Sequence, residues 1–565
     1  MKNQLPAKPE TGGKKAQGFC TPKTDKNPQK MCVPPRRVIP IIFLPGIMGS
    51  NLRLKQKRQD LMRKKNNIAW RPDNTSEAIG LLRKGTPEQR QMQLDPEWTE
   101  VDIYDPVNNP TGNSDETADQ RHNLGFSRVR LEVGPDTPLL IDDPITAKPR
   151  KTKEQKAKER GWGEIFFGSY RDILEQCEER LNKITYVGKD ISPWWLFEVM
   201  GKDPKIWQAV KEFGLKPITK EQLQSIAKGC WFPVHAMGYN WLQSNRQSGA
   251  VLAYRIKKLI GKYQKEGYEC EKVILLTHSM GGLAARAVVH PDMGGLQDQV
   301  LGIVHGVMPA IGAAAAYKRM RCGFEETGLK IDPVPKVLGN YGPEVTAVLG
   351  NAPGGLELLP SKQYGNGWLQ IKINEKVVKV LPEKGDPYDE IYKVKDKWYR
   401  LLIEEWINPA RLPARGAKET ALLLDKVKLF HDDIASTYHP LSFAHYGGDK
   451  ERPSWESVAW NLRTTLKIND IDSLKILSDD RQGKINLTDS LTNNTYGVEL
   501  SAPTGPGDQT VPLRSADHQL YSGKFSGIFR QTGYEHQDSY KNSAAITSTL
   551  YSLIRIIEAM KWSKS

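Results

Sequence analysis

The first strong pattern in the chain is Val38-Ile39-Pro40-Ile41-Ile42-Phe43-Leu44, a stretch with no hydrogen-bonding side chain, closed by Pro45-Gly46. A run that is apolar at every position predicts a strand buried on both faces, as in the interior of a parallel sheet. A turn follows at Gly46-Ile47-Met48-Gly49-Ser50. From Asn51 to about Tyr239 the pattern is mixed, with basic runs at Arg53 to Arg71 and Lys148 to Arg160 around a loop rich in Asn, Gly and Pro. Within it Trp162, Phe166, Phe167, Tyr170, Ile173 and Leu174 recur at helical spacing, and Pro193-Trp194-Trp195-Leu196-Phe197 follows. This whole stretch reads as a large insertion with helices.

Regular alternation resumes at Ala250 to Tyr263, where Val251, Leu252, Tyr254, Ile256, Leu259 and Ile260 mark an amphipathic helix. A strand is predicted at Lys272 to Leu276, a helix at Gly282 to Val289 and another strand at Val300 to Gly306. Helix, strand, turn, helix, strand is the rhythm of a doubly wound α/β sheet. A second insertion is expected over residues 320–500, with strands near Trp368 to Val380 and Ile391 to Tyr399 and helices near Arg400 to Trp406 and Lys418 to Phe430. Ser543 to Met560 reads as a closing helix.

Composition narrows this picture by exclusion. The chain has 565 residues, 38% of them hydrophobic, which is enough for a large core. The longest nearly uncharged stretch, Leu301 to Ala316, falls short of a membrane span and is broken by Gly302, His305, Gly306, Pro309 and Gly312. The first thirty residues hold no apolar run of signal-peptide length. Six cysteines include no C-x-x-C pair, so neither a disulfide framework nor a zinc site is expected.

Charge changes the picture only when it is located. The formal net charge of +15 divides into +14 over residues 1–90 and +1 over the remaining 475 residues. Residues 1–36 hold few apolar side chains and are expected to form a basic flexible arm. That arm and the basic run after it are expected to dock on an acidic partner or on anionic lipid head groups. Nucleic-acid binding is not expected, because the charge is not interleaved with stacking aromatics.

The chemistry concentrates at Thr277-His278-Ser279-Met280-Gly281-Gly282, between an apolar strand and a small-residue helix. A nucleophile elbow puts its serine on a strained strand-to-helix turn, with small residues required two positions before and after. Gly281 meets the second demand, whereas Thr277 departs from the usual glycine. The turn also sets the Met280 N–H at a helix start, where it can face a developing oxyanion. On this fold the acid and then the histidine follow the serine in the chain. Asp508, in Gly505-Pro506-Gly507-Asp508-Gln509-Thr510-Val511-Pro512, is the best acid, and after it only His518 and His536 remain. His536 is preferred because it lies on a loop before the closing helix. Ile47, or else Met48, in the turn after the first strand is the expected second oxyanion donor. Asp432-Asp433 and Asp479-Asp480 read as solvated surface, and His235, His290 and His305 lack metal-ligand spacing. No metal site and no cofactor is expected.

Ile41 to Leu52 (IIFLPGIMGSNL), the elbow (LLTHSMGGLAARAV), Gly507 to Pro512 and the late His536 resemble the α/β-hydrolase lipases of the lecithin-cholesterol acyltransferase and PGAP1-like group. Within that group, the large insertions and the segments His305 to Ala310 and Tyr317 to Met320 are similar to bacterial type VI secretion lipase effectors. The resemblance implies an α/β-hydrolase fold with Ser279 as nucleophile, Asp508 and His536 as its partners, and Met280 and Ile47 as oxyanion donors. It implies an antibacterial phospholipase made in the bacterial cytoplasm without a signal peptide and delivered to the target-cell periplasm or membrane. Its expected partners are membrane phospholipid as substrate, an immunity protein, and a type VI spike or adaptor.

In those terms the chain divides into the basic arm 1–36, a first core segment 37–54, an inserted cap or lid 55–235, a core segment with the elbow 236–320, a second insertion 321–500, and a last core segment 501–565. The aromatic stretch 162–197, with Trp231-Phe232 and Leu356 to Pro360, offers apolar surface for a lid or acyl groove, or else core. Acyl transfer to an alcohol, or an inactive scaffold used for binding, are the rival functions on the same fold.

Overall fold

A computed structural model describes residues 36–73, 85–103, 153–186, 190–227, 230–324 and 339–563, together with three short strands before residue 34. Those strands, Ala7–Glu10, Gly13–Gly18 and Gln29–Val33, pair antiparallel into a small sheet. The rest of the basic arm, residues 104–119 of the loop that starts at Asp95, and residues 148–152 at the start of the second basic run lie outside the described residues.

Six parallel strands form the central sheet: β1 (Ile41–Leu44), β2 (Val234–Ala236), β3 (Val273–His278), β4 (Val300–Gly306), β5 (Ser442–Gly447) and β6 (Phe525–Gln531). Their spatial order is β2-β1-β3-β4-β5-β6, every pairing parallel. The uninterrupted apolar sequence has its cause here. Ile42 and Leu44 of β1, with Val273 and Leu275 of β3, pack on one side against Leu252, Ile256 and Leu283. Ile41, Phe43, Ile274 and Leu276 alternate onto the other side, against Tyr170, Ile173, Leu550 and Ile554.

The helices that cover the two faces are therefore α1 (Phe167–Asn182) and α5 (Ser543–Glu558) on one, and α2 (Asn245–Lys265) and α3 (Gly281–Val289) on the other. Each fully buried aliphatic side chain in these layers contributes roughly 1.5–3 kcal/mol. α4 (Ala417–Ile434) adds Leu424, Val427 and Phe430 to the face held by α2 and α3.

Two strands of this sheet fall within or across the ranges read from the sequence as insertions. β2 spans the 235/236 boundary, and β5 lies inside 321–500. Neither announces itself, since β2 has three residues and β5, SFAHYG, is interrupted by polar side chains. Inside 321–500 stands a second six-stranded sheet, ordered Lys376–Leu381, Leu369–Ile373, Val458–Leu462, Thr495–Leu500, Lys484–Thr488, Lys475–Asp479. The expected strand at Ile391 to Tyr399 is instead a π-helical turn at Tyr388–Tyr392 and irregular backbone after it. Its Tyr392, Trp398 and Tyr399 are buried, so burial and not strand pairing explains the apolar positions.

Burial inside this fold sets the pH dependence of stability. It pushes His278, His305 and His445 down to about 3 and His431 and His518 down to about 4, with His235 and His439 moved the same way. Unfolded histidine titrates near 6.5, so below that pH the unfolded chain takes up protons that the folded chain refuses. Burial also pushes Glu357 up to about 7 and Asp73 up to about 6. These carboxyls act oppositely, losing stability as pH rises through those values, but they are outnumbered. The melting temperature is expected to fall steadily from pH 7 to pH 5 in calorimetry; a flat or rising profile would show that the buried histidines are not held neutral.

Candidate active site

Strand order locates the site before any side chain is considered. From β1 the chain passes to β2 on one side and then returns to β3 on the other. The loops after β1 and β3 therefore part, opening a crevice at the carboxyl ends of the strands, where α/β sheets bind ligands. Gly46 and Ile47 follow β1 and Ser279 follows β3.

Ser279 has φ of 52° and is almost wholly buried, its N–H donating to the Gly306 carbonyl at 2.8 Å. A left-handed serine between strand and helix is strained backbone, held only because its surroundings fix it. Gly281 shows how tightly: a Cβ there would stand 2.4 Å from the Leu44 carbonyl oxygen and 2.6 Å from that of Pro45. No such limit acts on Thr277, which is an interior residue of β3 with its carbonyl accepting from Tyr540 Oη at 2.8 Å. Its own hydroxyl has no hydrogen-bond partner among the described residues. On the neighbouring strand Gly306 is held as tightly as Gly281, since a Cβ there would meet Tyr540 Oη at 2.4 Å and the Thr277 carbonyl at 2.8 Å.

The structure brings together Ser279, His536 and Asp508. Ser279 Oγ lies 2.8 Å from His536 Nε2, and His536 Nδ1 lies 2.8 Å from Asp508 Oδ2. A carboxylate only accepts, so Nδ1–H donates to Asp508, leaving the Nε2 lone pair to accept from the serine hydroxyl. Asp508 is buried, and its Oδ1 accepts from the Val511 and Thr510 amides at 2.7 and 3.1 Å. The His536 N–H returns to the Asp508 carbonyl at 2.9 Å, tying the two loops directly. His518, the other histidine after Asp508, is elsewhere, its Nδ1 facing Tyr438 Oη at 3.1 Å.

The turn after β1 closes with Gly49 N–H on the Gly46 carbonyl at 3.0 Å, Met48 taking φ of 62°. Trp70 Nε1 donates to the Met48 carbonyl at 2.6 Å. Among the described residues the Ile47 and Met280 N–H groups donate to no protein acceptor. Two unpaired amides at the head of the crevice could meet a substrate oxygen.

Of the readings left open for the surrounding residues, core prevails over lid. Trp162, Phe167, Tyr170, Ile173, Leu174 and Trp195 are buried in the core beneath the sheet and form no lid surface, although Phe197 is exposed. Leu356 and Leu359 are core, and Glu357 between them accepts from Asn245 N–H at 2.8 Å and from Ser244 Oγ at the start of α2. Asp433 and Asp479 are paired with Arg246 and Arg321 and do not form acid pairs for catalysis. Of the histidines outside the site, His235 is bonded to Tyr263 Oη at 2.8 Å.

Two residues escape the motif reading. His278 is the variable position of the elbow, and Tyr170 belongs to a helical aromatic series 108 positions away. Tyr170 Oη accepts from Gly46 N–H at 3.2 Å and stands 3.1 Å from His278 Nδ1. No local sequence signal links them, because the contact exists only after α1 has packed on the sheet.

A doubly covered parallel sheet with a serine, a histidine and an aspartate in one hydrogen-bonded line at its switch point places the protein among mixed α/β proteins. No family model matches the chain, and no curated protein matches it. Among solved structures it is similar to the crystal structure of the Tle4–Tli4 complex, at 31% identity and a TM-score of 0.73, over 93% of this chain and 99% of that one. The chain belongs to the Tle4 family.

Proposed function

We propose that the protein is a serine hydrolase of the α/β-hydrolase fold that cleaves acyl esters of membrane phospholipids, acting as a type VI secretion effector. The reading is carried by the 2.8 Å contacts from Ser279 to His536 and from His536 to Asp508. Ser279 attacks the acyl carbonyl while His536 Nε2 takes its proton and Asp508 stabilises the resulting imidazolium. The unpaired N–H groups of Ile47 and Met280 receive the oxyanion of the tetrahedral intermediate. His536 then returns the proton to the leaving glycerol oxygen, and water repeats the cycle on the acyl-enzyme. Residues 55–235 and 321–500, apart from the sheet strands they contain, serve as elaborations around the site.

The solved relative is a complex of Tle4 with Tli4. An immunity protein is accordingly the first partner proposed for this chain, with a spike or adaptor for delivery to the target cell. Among the described residues no helix is long and apolar enough to cross a membrane. Access to lipid is therefore proposed from the membrane surface.

The test uses the purified full chain with vesicles of phosphatidylethanolamine and phosphatidylglycerol. Release of free fatty acid, blocked by a fluorophosphonate that mass spectrometry locates on Ser279, is expected. An acyl ester formed from added lysolipid or sterol would move the reading to acyl transfer. Absence of both turnover and labelling would leave only a binding scaffold.

A further inference from the structure

His278 and Tyr170 form a hydrogen-bonded strut that touches both halves of the proposed machinery. His278 Nε2 lies 3.0 Å from the backbone carbonyl of His536. A carbonyl can only accept, so Nε2 carries the proton and Nδ1 presents its lone pair. Tyr170 Oη therefore donates to Nδ1 at 3.1 Å, and its oxygen accepts from Gly46 N–H at 3.2 Å. Every donor from Gly46 to His536 then points the same way along the line.

The surroundings keep that line in one protonation state. Burial pushes His278 down to about 3 and Tyr170 up to about 12, so both are neutral near pH 7. His278 is walled by rings, Tyr170 at 5.3 Å, His536 at 5.1 Å and Tyr540 at 6.0 Å between centroids, which fix its plane. The far end is pinned as well, since Gln537 Nε2 donates to Ser169 Oγ at 2.6 Å, beside Tyr170 on α1.

We propose that His278 is a positioning residue: its Nε2–H, with Nδ1 occupied by the Tyr170 hydroxyl, holds the His536 backbone so that the imidazole stays aimed at Ser279, and it couples that aim to the Gly46–Ile47 turn. The proposal rests on Ser279 and His536 being nucleophile and base. With the Asp508 carbonyl on its N–H and His278 on its carbonyl, His536 is held from both sides of its backbone. Asp508 holds the ring at Nδ1, and the backbone bonds set where on the loop that ring starts from; a misplacement of 1 Å costs about 100-fold in rate.

The experiment measures kcat and KM of the full chain on a soluble short-chain ester, with fluorophosphonate labelling of Ser279. His278→Asn places an amide only where Nδ1 stood, removing the donor to His536; kcat is expected to fall about 100-fold with KM within about 2-fold. His278→Gln carries an amide N–H to the place of Nε2 and is expected to recover most of that loss. Tyr170→Phe, which keeps the ring, is expected to lower kcat about 10-fold. Folded His278→Asn with wild-type kcat overturns the proposal, as does an equal loss in Asn and Gln variants, which would mark a purely structural role. If His278→Asn does not fold, the nitrogen-15 spectrum of histidine-labelled wild type decides: Nε2–H at His278, perturbed by Tyr170→Phe, supports the strut, and Nδ1–H overturns it. Failure of the underlying function is separate, because wild type would then neither turn over ester nor take the label.

Discussion

Replacing Ser279 with Ala is expected to reduce kcat for ester hydrolysis by about a million-fold while leaving the fold in place. The two halves of that expectation come from different observations. Alanine keeps the Cβ, so it inherits the φ of 52° and the N–H bond to Gly306 without new strain or new space. Only the hydroxyl is lost, together with its contact to His536 at 2.8 Å, worth about 1 kcal/mol of stability. The melting temperature should therefore shift by only a few degrees. Activity has no such margin, because no other hydroxyl is hydrogen-bonded to His536 Nε2 among the described residues. Residual turnover well above background, of the order of 10³-fold over water, is consistent with binding and the oxyanion donors acting alone. Rates of fatty-acid release near wild type in a folded Ser279→Ala protein would remove the serine mechanism.

How much of this was readable in advance follows from how local each feature is. β1 and the elbow with β3 were legible because one contiguous segment states the whole environment: apolar on both faces, a sharp turn, a small-residue helix. Asp508 and His536 were reachable through chain order, since the topology that places Ser279 after β3 also brings the later loops to the same edge. His518 could be set aside in the sequence only by its position, whereas its bond to Tyr438 settles where it is. β5 was hidden because His445 and Tyr446 lie inside it, both buried, so polar letters conceal an interior strand.

The aromatic series from Trp162 to Leu174 shows the opposite difficulty. Helical spacing correctly marks α1, but spacing cannot say whether the apolar face meets the sheet or a lipid. In the structure it meets β1 and β3, and Tyr170 alone carries a polar tip to the crevice. The strut through His278 is invisible for the same reason: its members are assigned to a core helix and to a variable motif position, and their chemistry exists only as a contact.

Asp508→Asn is expected to lower kcat/KM by about 10⁴-fold, and the direction of the asparagine amide explains why the isostere is so damaging. Oδ1 of Asp508 already accepts two backbone N–H groups, from Val511 at 2.7 Å and Thr510 at 3.1 Å. An asparagine in this place must keep its carbonyl oxygen on those amides, because turning its NH₂ toward them would set donors against donors. Its NH₂ is then forced onto His536 Nδ1, which can meet a donor only as an acceptor. The ring is driven into the Nε2–H tautomer, and a proton instead of a lone pair faces Ser279. Folding should be nearly unaffected, since shape and both loop bonds survive. Fluorophosphonate labelling of Ser279 should slow by a similar factor, as it uses the same base. The Ser279→Ala, Asp508→Asn double variant should be no slower than Ser279→Ala alone, because the aspartate acts only through the histidine that serves the serine. Additive losses in that double variant, or wild-type labelling of Asp508→Asn, would assign Asp508 a role other than orienting His536.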